Sequence, residues 1–90
     1  MITMGKDPDA VLDYEWDWAT WLNGDAIAGT PDVEVVFGDV VVGSSTNTPD
    51  KVIAWISGGT DKSVSVVKCH IETVAGREQD RSIMFVIGEE

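Results

Sequence analysis

Residues 11–18, VLDYEWDW, alternate without a break: Leu12, Tyr14, Trp16 and Trp18 fall on one phase, and Val11, Asp13, Glu15 and Asp17 on the other. A period of two is the signature of a half-buried strand, whose successive side chains point to opposite faces of a sheet. Each large aromatic on the apolar phase brings about 150–250 Å² of buried surface, enough to seed the core of a small domain. The other phase carries three carboxylates and must face water or a cationic partner.

The pattern then changes repeatedly. Asn23-Gly24-Asp25 is a strong turn signal, and Trp21-Leu22 closes a short helical turn ahead of it. Residues 26–28 suit a short strand. Residues 32–42 are rich in β-branched side chains and predict two short strands joined around Gly38. Residues 43–50, GSSTNTPD, hold only small, polar and turn-forming residues and read as an exposed loop. Residues 51–57, KVIAWIS, are nearly all apolar and predict a central strand covered on both faces, closed by a turn at Gly58-Gly59-Thr60-Asp61. In residues 63–74 the apolar phase switches between Val64/Val66 and Val67/Cys69/Ile71, which predicts a β-bulge near Val66-Val67. Residues 81–87 alternate again and are expected to pair with 63–74 as a hairpin through Ala75-Gly76-Arg77.

Short strands, turn signals at roughly 8–12-residue spacing and no long amphipathic helix predict an all-β fold, an antiparallel two-sheet immunoglobulin-like sandwich of about seven short strands. A small barrel is the second choice. The expected organisation is an N-terminal arm at 1–10, one sandwich domain at 11–88 and a C-terminal tail at 89–90, both ends being polar enough to order only on docking.

Charge narrows the partners. Six Lys plus Arg against sixteen Asp plus Glu give a formal net charge of −10, which repels phosphates, so nucleic acid is not an expected partner and a basic protein surface is. No apolar run approaches the ~20 residues of a membrane helix, so no membrane partner is expected. Residues 1–10 lack an apolar signal-peptide core, which predicts cytoplasmic synthesis. Cys69 is the single cysteine, so internal disulfides and cysteine-based zinc clusters are excluded.

Candidate chemistry is thin. Asp13, Glu15 and Asp17 stand ~6.5–7 Å apart along a strand, too far to share one calcium ion unaided, so no metal site is expected there. Cys69 and His70 are adjacent on a strand and point to opposite faces, so they cannot act as nucleophile and base. Cys69 reads as a buried structural residue, and His70 has no assigned role. Ser57-Gly58-Gly59-Thr60 lacks the lysine and the helix of a phosphate loop and reads as a plain turn. Trp16, Trp18 and Trp55 read as core, whereas Trp21, beyond the end of its strand, is the best aromatic interface residue. Arg77 and Arg81 are expected to pair locally with Glu78, Asp80 or another neighbouring carboxylate. No cofactor and no enzyme activity are expected, since no triad or metal-ligand spacing occurs.

Three blocks of sequence resemble a family. Residues 6–27, KDPDAVLDYEWDWATWLNGDAI, are similar to the pattern KDPDxVLDYxxDWxxWLxGDxI of small tailed-bacteriophage fiber-tail adaptors. Trp55-Ile56-Ser57-Gly58-Gly59-Thr60 is similar to that family's W-L-S-G-G-T, and residues 76–83 to its G-R-x-x-x-R-S-I. The resemblance implies a virion protein without chemistry of its own, linking the tail to receptor-binding fibers in multiple copies per particle. The expected partner-binding residues are Asp13, Glu15, Asp17, Trp21, Asn23 and Asp25. A capsid decoration protein and a carbohydrate-binding module are the alternatives.

Overall fold

The computed structural model describes residues 2–88. Seven strands form two sheets: β1 (Ile2–Lys6), β7 (Glu78–Ile87), β6 (Val64–Thr73) and β3 (Ile27–Phe37) in that order in one, and β2 (Leu12–Asp17), β5 (Lys51–Gly58) and β4 (Val40–Asn47) in the other. One helical turn, α1 (Ala19–Leu22), follows β2. The chain crosses between sheets after β1, β2, β3 and β5 and makes hairpins at β4–β5 and β6–β7, the Greek-key order of an immunoglobulin-like sandwich. The all-β sandwich read from the alternation is the observed fold.

Between the sheets lies one core, in which Trp16, Trp18, Ala54, Ile56, Val67, Cys69, Ile71 and Phe85 are fully buried. Inward positions recur at every second residue of β2, β5, β6 and β7, as a two-layer sandwich requires. Tyr14 meets Phe85 edge to face, with ring centroids 4.8 Å apart. The predicted β6–β7 hairpin is present in unbroken register from Val64↔Val86 to Glu72↔Glu78.

Several boundaries differ from the sequence reading, each for a local reason. Ile2–Lys6 is a strand paired in parallel with β7, not part of an arm outside the domain. The edge of β7 supplies the ladder, and Lys6, 1% exposed, points inward. The expected tail at 89–90 lies outside the described residues. The short strand expected at 26–28 and the first strand of 32–42 merge into the eleven residues of β3, whose register slips between Ala28 and Asp32. β4 runs on to Asn47 through what reads as a loop, because an edge strand pairs on one side and leaves Ser44, Ser45 and Thr46 in water. Only residues 48–50 turn there, where Lys51 N–H and Asp50 N–H donate to Thr48 Oγ1.

β5 is the central strand of its sheet, as expected, but only Val52, Ala54 and Ile56 are buried. The anticipated bulge is on β3, where Val35 pairs with Val67 and Phe37 with Val66, leaving Val36 extra. β6 itself alternates regularly. Its inward position before Val67 is Ser65, a buried polar residue that breaks the apolar phase without breaking the strand. Ser65 Oγ accepts the Asp39 N–H at 3.2 Å. Gly38 crosses directly over it: a Cβ there would come within 2.7 Å of the Ser65 Cα, so no side chain fits where β3 turns into β4.

Candidate partner-binding surface

The residues of the first sequence block fall into two groups by phase. Inward positions of β2, with α1, build a clamp across one end of the sandwich. The Trp16 indole N–H donates to Arg81 O at 3.0 Å. The Arg81 guanidinium lies 4.4 Å above the Trp18 ring and donates to Asp17 O at 2.8 Å. The Arg77 guanidinium lies 4.2 Å above Trp21 and donates to Leu22 O at 2.8 Å and, through Nε, to Asp25 Oδ2 at 3.1 Å. Trp18 and Trp21 meet edge to face at 5.4 Å. Two arginines of the β6–β7 hairpin are thus layered on two tryptophans of the β2–α1 segment, combining cation–π attraction with charge-assisted hydrogen bonds.

Trp21, Asn23 and Asp25 belong to this clamp. Trp21 is half-buried between Trp18 and Arg77. Asn23 is the left-handed residue that ends α1, with φ 47° and its N–H donating to Ala19 O, a conformation that Asn tolerates. Asp25 accepts the Ala26 and Ala75 N–H groups as well as Arg77. The Thr73 hydroxyl, these backbone donors and Arg77 hold its carboxyl down at about 2. Its side chain is 10% exposed and works inside the molecule.

At the other end a lysine does a comparable job. Lys6 Nζ donates to Asp7 O at 2.9 Å, Ala10 O at 2.8 Å and Gly58 O at 2.6 Å, using all three ammonium hydrogens. Desolvation lowers its pKa, opposed by the nearby Asp7 and Asp9 carboxylates. The Ser57-Gly58-Gly59-Thr60 turn is structural: the Thr60 hydroxyl and N–H donate to the Asp39 carboxylate, whose pKa they lower, and Gly59 packs where a Cβ would lie 2.9 Å from Ile87.

One surface that the fold leaves over is the outer face of the three-stranded sheet. Asp13, Glu15 and Asp17 are exposed there, side by side on β2. Across the pair they stand opposite Trp55, Ile53 and Lys51 of β5. Trp55 is 45% exposed, which corrects its reading as core. Both phases of β5 are apolar, so its alternation alone does not say which faces out. The assignment comes from its neighbour, because the carboxylate phase of β2 must face water and Trp55 is in register with Asp13. On the β4 side Gly43 lies against Trp55, 3.6 Å from its carbonyl by the position a Cβ would take, so no side chain covers the indole from there. Val41, 57% exposed and opposite Ser57, extends the apolar strip. The surface therefore joins an aromatic anchor to a row of acids, and among the described residues Asp13 and Glu15 make no ion pair.

Cys69 is buried, and burial pushes its thiol up to about 11 against the opposing effect of the Trp18 indole N–H, which has no conventional hydrogen-bond acceptor among the described residues. Such a thiol is unreactive at neutral pH. Among curated proteins no match is found. Residues 6–86 match the family described as podophage GP4 fiber-tail adaptor protein gp77. With most of its length matched, the chain belongs to that family of structural phage proteins.

Proposed function

We propose that the protein is a non-enzymatic virion adaptor that joins tail and receptor-binding fiber, and that it docks through the outer face of the three-stranded sheet. The observation that carries this reading is the register of β2 with β5, which sets exposed Trp55 beside Asp13, Glu15 and Asp17 on a face that the sandwich does not use to hold itself together. Tryptophan is the residue type most enriched at interface hot spots, and a row of acids beside it selects a partner with a basic rim. This face takes Asp13, Glu15 and Asp17 from one family-like block and Trp55 from another, all at outward positions, where a fold imposes least. Trp21, Asn23 and Asp25 serve the docking indirectly by fixing the end of β2 from which Asp17 projects.

The test is a mixing experiment with the tail and fiber proteins of the same phage, read by size-exclusion chromatography with light scattering. A complex that forms with the native chain and weakens at least ~10-fold with Trp55→Ala or with Asp13→Asn/Glu15→Gln/Asp17→Asn supports the reading, a hot-spot loss of about 1.4 kcal/mol or more. Binding to assembled capsids alone makes it a decoration protein instead, and unaltered binding by both variants moves the docking surface elsewhere.

A further inference from the structure

The outer face of the four-stranded sheet carries a cluster that neither the clamp nor the docking surface uses. His70 and Glu72 project from β6, and Asp80 and Glu78 stand directly opposite them on β7. His70 Nε2 lies 3.1 Å from Glu78 Oε1, and Nδ1 meets Asp80 Oδ1. One donor atom each from His70, Glu72 and Glu78 all fall within 4.8 Å of one another. From the geometry we propose that His70, Glu72 and Glu78 form a surface site for a divalent transition metal of the zinc class, with Asp80 as the group that orients the imidazole.

Three observations converge on it. First, a carboxylate accepts but does not donate, so the His70 Nδ1–Asp80 contact puts a hydrogen on Nδ1 and holds the ring with Nε2 toward Glu78, whose contact carries a second hydrogen until an ion displaces it; this is the carboxylate–histidine arrangement that supports metal-bound imidazoles. Second, Glu72 and Glu78 form a like-charge cross-strand pair, which costs stability unless a cation lies between them. Third, apart from the His70 imidazole itself, which meets Glu78, no lysine or arginine of the chain is available to do this. Arg77 and Arg81 turn to the tryptophan clamp, Lys68 pairs with Glu34 at 3.0 Å, Lys6 is buried at the other end, and Lys51 and Lys62 lie on β5 and in the β5–β6 turn. Asp32, opposite His70 on β3, adds a further acid to the surroundings.

Zinc takes imidazole nitrogen and carboxylate oxygen at about 2.0–2.2 Å, which places its donors roughly 3.3 Å apart in a tetrahedron. The His70–Glu78 pair already has that separation, and Glu72, an exposed side chain on flexible bonds, closes the remainder. The ion replaces the proton that otherwise sits between Nε2 and Glu78, and water fills the remaining position. Sequence alone separates these residues, because 70 and 72 meet 78 only through the hairpin register.

Isothermal titration of the full chain with zinc chloride near neutral pH tests the proposal. Expected are one ion per chain, a loss of at least ~10-fold in affinity for His70→Ala and for Glu78→Gln, and a similar loss for Asp80→Asn through its orienting role. Zinc should also shift the His70 ring resonances in NMR, and Glu34→Gln, which removes an acid from the same face, should leave affinity unchanged. Equal affinity in His70→Ala, or displacement of zinc by equimolar magnesium, overturns the site and leaves only diffuse attraction to an acidic chain.

Discussion

The two ends of the sandwich are both closed by cations, but by opposite physics. At one end Lys6 is sunk among backbone carbonyls, 1% exposed, and the neighbouring Gly59 packs on Ile87 where a Cβ would lie 2.9 Å from it. At the other, Arg77 and Arg81 lie on the faces of tryptophans and keep part of their surface in water. The lysine end is hydrogen-bonded and intolerant, because a buried ammonium and its three acceptors fail together. The arginine end is layered, so its members contribute more independently. Lys6, Trp16, Trp18, Trp21, Asp25, Arg77 and Arg81 of the family-like blocks are taken up by these two closures, whereas the outward phases of β2 and β5 are not.

The comparison can be broken most sharply at Lys6. Lys6→Met keeps the stem but strips three carbonyls of their donor, and the expected loss is about 2–4 kcal/mol, read as a lowered urea midpoint with unchanged slope. Arg81→Ala at the other end removes one stacked cation and one hydrogen bond, and roughly 1–2 kcal/mol is expected by the same measurement. An equal or greater loss at Arg81 would reverse the ranking of the two ends.

A smaller effect separates the ends by pH. The Asp25 carboxyl is held at about 2 against an ordinary 3.8, foremost by the Thr73 hydroxyl. Because the folded value is the lower one, its stabilisation is fully present above 3.8 and is lost as pH falls through that value toward 2. In Asp25→Asn this part of the acid transition disappears, so the stability gap between native and variant narrows over that range in acid-unfolding curves. The smallest stability effect belongs to Trp55→Ser: removing a 45% exposed side chain from the outer face should change stability by under about 0.5 kcal/mol while docking is lost. A large drop in midpoint would make Trp55 a structural residue rather than a recognition residue.

Much of the architecture is legible in the sequence where polar and apolar phases contrast. In β2 the aromatics and carboxylates cannot exchange faces, and in β6 and β7 the hairpin follows from alternation around Gly76. Legibility fails where contrast fails. β5 is apolar on both phases, so Trp55 reads as core until β2 is known to be its neighbour. From Gly43 onward β4 is polar on both phases, so the second half of a strand resembles a loop. Lys6 carries a charge that normally seeks water, and nothing local announces the three carbonyls that meet it, one of them 52 residues away. Of the expected partner residues, Asp13, Glu15 and Asp17 stand together on the outer face, whereas Trp21 and Asp25 are drawn into the clamp by Arg77, more than fifty residues distant. Spacing along the chain carries no record of such pairings.

The thiol of Cys69 turns the core into a clock. It is fully buried beside Trp18, so an alkylating reagent reaches it only in the moments when the two sheets part. With no second cysteine to confuse the signal, the labelling rate measures how often the sandwich breathes, and the slowing of that rate on addition of a partner reports docking on a face the reagent never touches.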